Sequence, residues 1–150
     1  MILRHVQPGD EGRLLQIFSD PTVSRWWGDP DKSVADTMNA EEGDDHYLIE
    51  VDGEVVGMIQ SYQETDEMYR HAGIDISIRE PWQGKGLGPE AIRLLAHHLI
   101  DDLGHHRLVI DPAGNYFWLS CETATRNKDA ELAVPAQTRE LVQVYSCLHR

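Results

Sequence analysis

Basic side chains are scarce in this chain: 13 Lys and Arg stand against 26 Asp and Glu, a formal net charge of −13 with the histidines neutral. A field of that sign repels nucleic acid and anionic membrane surfaces, and it draws cations inward. Cysteine is scarcer still. Cys121 and Cys147 are too few for a disulfide framework, and their spacing fits no metal motif, so reduced thiols and a cytoplasmic location are expected. No apolar run approaches the roughly 20 residues of a membrane span. Met1 to His5 lead straight into a polar segment, with no apolar stretch of signal-peptide length. Internal repeats and low-complexity stretches are also missing. What remains is 150 residues, 41% of them hydrophobic, enough to bury about two thirds of the unfolded surface in one core. A single domain over residues 1–150 is expected.

The apolar residues that are present fall into recognisable periods. Asp10 to Asp20 carries Leu14, Leu15, Ile17 and Phe18 at helical spacing, and a second, weakly patterned helix is placed at about Lys32 to Ala40. Two β-rich runs, His46–Val51 and Glu54–Tyr62, flank Asp52-Gly53, the strongest short-range hairpin signal. From Ala72 to Ile78 the alternation is strict. Ala72, Ile74, Ile76 and Ile78 share one face, and Gly73, Asp75 and Ser77 share the other. A helix follows from Leu87 to Leu103, with Pro89 in its first turn and Gly104 as its C-terminal cap. Arg107–Ile110 reads as a buried strand ending at Asp111-Pro112. A hairpin followed by strand, turn, helix and strand predicts an α/β (α+β) fold, a mixed central sheet with flanking helices and at least one parallel crossover.

The chemistry concentrates at the connection between the Ala72–Ile78 strand and the helix after it, Gln83-Gly84-Lys85-Gly86-Leu87-Gly88. Glycines let backbone amides approach a ligand without interference from Cβ. Several N–H groups converging on the positive end of a helix are what a pyrophosphate requires, and Lys85 adds a charge. The spacing is neither that of a Walker loop nor that of a dinucleotide fingerprint.

A second constellation is acidic. Glu64, Asp66 and Glu67 follow one strand, Asp75 lies on the next, and Asp111 ends the strand after that. Asp75 and Asp111 would flank one cleft if their strands are neighbours. Acyl transfer to an amine needs a group to take the amine's proton, and Asp75 is the candidate catalytic residue. The plainer alternatives are a solvated strand carboxylate for Asp75, a turn-capping acceptor for Asp111 and solvated loop residues for Glu64 and Asp66. A third feature is Trp26-Trp27-Gly28. Adjacent tryptophans do not easily face one core, so one of them can line an exposed pocket. His97 and His98 point about 100° apart on a helix and do not make the i, i+4 pair of a metal site, and no metal is expected.

At the glycine turn the chain resembles the GNAT acetyltransferase superfamily, whose hallmark Gln/Arg-x-x-Gly-x-Gly/Ala is matched by Gln83, Gly86 and Gly88. The resemblance implies that the turn from Gln83 through Gly84, Lys85, Gly86 and Leu87 to Gly88 holds the pyrophosphate of acetyl-CoA. It implies also that the backbone of Ile76, Ser77 and Ile78 pairs with the pantetheine arm and that an amide there polarises the thioester carbonyl. Together with Val23-x-x-Trp26-Trp27-Gly28 and Gly73-Ile74-Asp75, the turn looks like that of aminoglycoside 6′-N-acetyltransferases over about residues 1–115. That implies substrate contacts for Trp26, Trp27, Asp75 and Asp111, with Glu64 and Asp66 added as carboxylates for a polycation, and a cofactor contact for Asn115. A small cationic amine as acceptor suits the acidic chain, the alternatives being transfer to a siderophore precursor or a protein N-terminus, or a non-catalytic module that binds CoA or an aminosugar; a homodimer is expected because folds of this family often dimerise.

The C-terminal segment departs from that pattern. Family members continue through a short helix with Ala-Ile-x-x-Tyr-Glu and a Gly-Phe, whereas here Asn115 is followed by Tyr116-Phe117-Trp118-Leu119-Ser120-Cys121-Glu122. The usual tyrosine that protonates the departing thiolate has no matching position. Tyr116 and Tyr145 are the substitutes to consider, and Leu141–Leu148 is a candidate last strand. Cys121 lacks an evident His partner for nucleophilic work.

Overall fold

A computed structural model describes residues 1–64, 66, 70–110 and the backbone of 117–120. Asp111, Asn115, Tyr116, Glu67 and both cysteines lie outside the described residues, as does Leu141–Leu148. The described strands are β1 (Ile2–His5), β2 (Asp45–Val51), β3 (Glu54–Glu64), β4 (His71–Ile78), β5 (Arg107–Ile110) and β6 (Phe117–Ser120). They form one sheet in sequence order. All neighbours are antiparallel except β4 and β5, which run parallel. This is the mixed α/β sheet with one crossover that the element order predicts. The β2–β3 turn has positive φ at both Asp52 (51°) and Gly53 (82°), the twist that a two-residue hairpin demands.

The crossover from β4 to β5 runs through α4 (Leu87–His97) and a π-helical turn at His98–Asp102. Leu95, Ala91 and Leu99 from this segment bury against Ile49, Ile59 and Ile74 of the sheet. Gly104 ends the segment at φ +72°, its N–H donating to Ile100 O, as a C-terminal cap should. The opposite face carries α1 (Glu11–Phe18), α2 (Pro21–Trp27) and α3 (Pro30–Met38). There Leu14, Ile17, Phe18 and Val23 pack on Leu48 and Met58.

Three elements escaped the sequence reading. β1 and β6 are only four residues long, too short to show alternation. The helix α2 and the early start of α3 follow from a repeated signal: Asp20-Pro21 and Asp29-Pro30 each place an N-cap carboxylate before a first-turn proline. Asp20 accepts from Thr22 N, and Asp29 from Lys32 N, both at 2.9 Å.

Candidate functional site

The turn after β4 is shaped by its glycines. Gly84 and Gly86 stand at φ +70° and +79°, where a side chain would be strained. Among the described residues, none of the amides from Gly84 to Gly88 donates to another backbone group. Those N–H groups gather at the start of an 11-residue helix, whose dipole adds roughly half a positive charge. The ammonium of Lys85 sits 4.7 Å above the ring of Trp82, a cation–π contact that holds it beside the turn. Free main-chain N–H groups at a helix start, with a cation beside them, are what an anion cradle requires.

Gln83 plays a different part from the other residues of the turn. Its N–H donates to Glu80 O at 3.1 Å, and Nε2 donates to Ile78 O at 2.7 Å and to Thr22 Oγ1 at 2.9 Å. With its N–H groups engaged in this way, Gln83 braces the turn from within the protein.

Strand β4 leads into the cradle, and its two edges differ. On one side Gly57–Glu64 of β3 pairs along all of β4. On the other, β5 pairs only with Ala72, Ile74 and the residue between them among the described residues. The edge from Ile76 through Ser77 to Ile78 therefore has no described strand partner on the β5 side, and it leads towards the cradle.

Alternation places Asp75 on the α1–α3 face, two residues from Ser77, which is opposite Met58. Gln60 Nε2 donates to Asp75 Oδ2 at 3.0 Å, which fixes the carboxylate across the strand pair. Along the same face, towards the end of β3, Tyr62 lies over Gly73. A Cβ on Gly73 would stand 1.8 Å from the tyrosine ring, so only glycine leaves room for the ring in this position. Glu64 ends the row opposite His71. Its carboxylate accepts from Asp66 N at 3.0 Å, and both residues are exposed. Asp75 and Glu64 thus lie on one face, four residue steps apart or roughly 13 Å, with an aromatic ring between them. Tyr62, Gln60 and the close approach at Gly73 were missed from sequence. The signal available was the matched alternation of Gln60, Tyr62 and Glu64 against Asp75, Gly73 and His71.

The tryptophans divide. Trp27 packs on Phe18 with ring centroids 5.2 Å apart, inside the α1–α3 cluster. Trp26 is 62% exposed, with the guanidinium of Arg25 5.1 Å over its ring. Trp27 is thus half-buried against that cluster, and Trp26 faces outward. Further along the chain, His97 and His98 each pair with the aspartate four residues on, at 2.9 and 2.7 Å. Among the described residues no three His, Cys, Asp or Glu side chains gather as a metal site, and no helix is long and apolar enough to cross a membrane.

Comparison with known proteins meets this geometry. The family model described as an acetyltransferase (GNAT) domain matches residues 1–129. Among solved structures, the aminoglycoside acetyltransferase AAC(6′)-Ib in complex with paromomycin and acetyl-CoA superposes with a TM-score of 0.68 at 20% identity, over 87% of this chain and 98% of that one. The same enzyme with coenzyme A and kanamycin gives 0.61 at 26% identity, over 73% of each chain. Spermidine N-acetyltransferase from Vibrio cholerae, in complex with CoA and spermine, gives 0.60 at 17% identity, over 73% of this chain and 69% of that one. The curated proteins yield no match. The amide cradle on the helix after β4, the β4 edge leading to it and a family match over most of the chain agree: this protein belongs to the GNAT acetyltransferase family and is an N-acetyltransferase that uses acetyl-CoA.

Proposed function

We propose that the protein transfers the acetyl group of acetyl-CoA to a primary amine of an aminoglycoside, the 6′-amine, by direct attack in a ternary complex. The observation that carries this reading is the row on the α1–α3 face: the Asp75 carboxylate held by Gln60, the Tyr62 ring over Gly73, and the Glu64 carboxylate. Two carboxylates separated by an aromatic ring suit an acceptor with several ammonium groups on sugar rings, since each charge finds a partner and the ring packs on a sugar face. The net charge of −13 favours the approach of such a cation.

In this reading the Gly84–Gly88 amides and Lys85 hold the donor pyrophosphate, and the Ile76–Ile78 backbone carries the pantetheine arm. Asp75 takes the proton that the ammonium must lose before its nitrogen attacks the thioester carbonyl. The C–N bond forms first to give a tetrahedral intermediate; as this collapses the C–S bond breaks, and the second proton of the nitrogen passes to the CoA sulfur, which leaves as the thiol. Bringing the two reactants together supplies much of the rate. Trp26 and Asp66 border the acceptor. Asp111 and Asn115, outside the described residues, keep their expected contacts with acceptor and cofactor, and a homodimer is part of the proposal, checked by light scattering at micromolar concentration.

A linear polyamine is the second reading, favoured by the likeness to spermidine N-acetyltransferase and by a row that selects charge as much as sugar. One assay separates the two. Thiol release from acetyl-CoA is followed across aminoglycosides with and without a free 6′-amine, with spermidine, spermine and a basic peptide as comparison acceptors. Turnover limited to 6′-amino aminoglycosides establishes the first reading. Turnover with spermidine and none with aminoglycosides replaces it by the second.

A further inference from the structure

Asp20 caps α2 and Thr22 lies in its first turn, yet both side chains also reach the donor turn about sixty residues along the chain. Asp20 Oδ1 accepts from Thr22 N at 2.9 Å and from the Thr22 hydroxyl at 2.7 Å. Helix capping needs nothing more than that. Asp20 Oδ2, however, accepts from Glu80 N at 2.8 Å, and Thr22 Oγ1 accepts from Gln83 Nε2 at 2.9 Å. Gln83 in turn holds Ile78 O, at the end of β4. A continuous chain of donors therefore runs from β4 through Gln83 and Thr22 to the Asp20 carboxylate, each bond polarising the next. Burial pushes the Asp20 carboxyl up. The Thr22 hydroxyl, the amides of Glu80 and Thr22 and the Arg79 charge outweigh it and leave the group lowered from its ordinary value. The far end of α2 is also held, since Ser33 Oγ donates to Trp27 O at 3.1 Å.

We propose that Asp20 and Thr22 are positioning residues that latch the donor turn to α2, so that filling the turn with coenzyme A fixes the helix that presents Trp26. The inference rests on the reading of Gly84–Gly88 as the donor cradle. Neither residue touches the reactants: they act through Gln83 and the Glu80 amide on one side and through α2 on the other. Coupling of this kind is reciprocal, so an acceptor seated against α2 tightens donor binding by the factor with which the donor tightens acceptor binding.

Hydrogen exchange of the 20–28 segment in the full chain, with and without coenzyme A, tests the latch, and calorimetry on the same samples reports whether coenzyme A binds. In the unaltered protein coenzyme A should slow exchange across 20–28 by about fivefold, the lower end of typical coupling. Thr22→Val keeps the shape and removes the hydroxyl. Asp20→Asn still caps the helix through its oxygen, while its amide nitrogen meets the Glu80 N–H donor to donor. Both variants should still bind coenzyme A but lose the protection of 20–28, and Thr22→Ser should restore it. Protection in Thr22→Val equal to that of the unaltered chain overturns the latch, as does coenzyme A binding that leaves 20–28 unprotected in the unaltered chain. If calorimetry finds no coenzyme A binding to the unaltered chain, the donor-cradle reading fails first and the latch falls with it. Should Asp20→Asn fail to fold by circular dichroism, the threonine pair decides alone.

Discussion

The two faces of the sheet solve different problems. On the α4 face, Ile49, Ile59 and Ile74 meet Ala91, Leu95 and Leu99 in a layer with almost no polar side chain, all of these residues at most 1% exposed. On the α1–α3 face the apolar cluster ends at Met58, and from Gln60 onward the row is polar, aromatic and acidic. A one-residue slip in the β3–β4 pairing would exchange these faces. The aliphatic layer makes any such slip costly and so holds the register that aligns Asp75 with Gln60 and Gly73 with Tyr62. The closed face secures the geometry on which the open face depends.

That division can be broken most strongly from the closed side. Leu95→Ala removes a side chain that is 1% exposed and should cost about 2–5 kcal/mol of stability. Denaturant unfolding checks the loss, and the acceptor KM of the protein that remains folded should hold steady. From the open side, Asp75→Asn should lower kcat/KM about a hundredfold, equivalent to roughly 2.7 kcal/mol, while the unfolding midpoint barely moves. Unchanged steady-state kinetics would remove Asp75 from the reaction. Gly73→Ala comes next. Its methyl collides with the Tyr62 ring, which is 38% exposed and can swing outward, so the fold should survive while the acceptor KM rises by about tenfold, or roughly 1.4 kcal/mol. A KM that rises for acetyl-CoA instead would place Tyr62 on the donor side.

An effect of similar size, confined to acid, belongs to the edge of the open face, where Arg4 donates to both oxygens of Asp10 at 2.9 and 3.0 Å and to Glu50 at 2.8 Å. The Arg4 hydrogen bonds hold the Asp10 carboxyl at about 2, down from 3.8, against the opposing effect of its burial. In the unfolded chain Asp10 takes up its proton near 3.8, and in the folded chain only near 2. The stability it contributes is therefore complete above about pH 4 and is lost as the pH falls towards 2. Acid unfolding followed by circular dichroism should lose on the order of 1–2 kcal/mol less in Asp10→Asn than in the unaltered protein across that window.

Much of the frame was legible because it is local. The Asp52-Gly53 turn, the amphipathic run from Leu87, the glycine turn and the alternation of β4 each depend on residues within a few positions of one another, and the structure contains all of them. α2 was legible in principle from Asp20-Pro21, but a seven-residue helix offers too short a period to stand out. The adjacent tryptophans raised the right question, and packing answered it: Phe18 takes Trp27, leaving Trp26 outside.

The sequence by itself determined the type of these local elements, the glycine turn and the acidity that suits a cationic acceptor, since backbone conformation, hydrophobic period and charge are properties of neighbours in the chain; the spacing of Gln83, Gly86 and Gly88 carried the family resemblance. Only the tertiary structure decided that Gln60 holds Asp75, that Tyr62 fills the space left by Gly73, and that Gln83 spends its donors on Thr22 and Ile78. Gln60 and Asp75 are 15 residues apart and Gln83 and Thr22 are 61. No local preference specifies such contacts, which come into being when strand register and helix packing bring distant side chains within hydrogen-bonding reach.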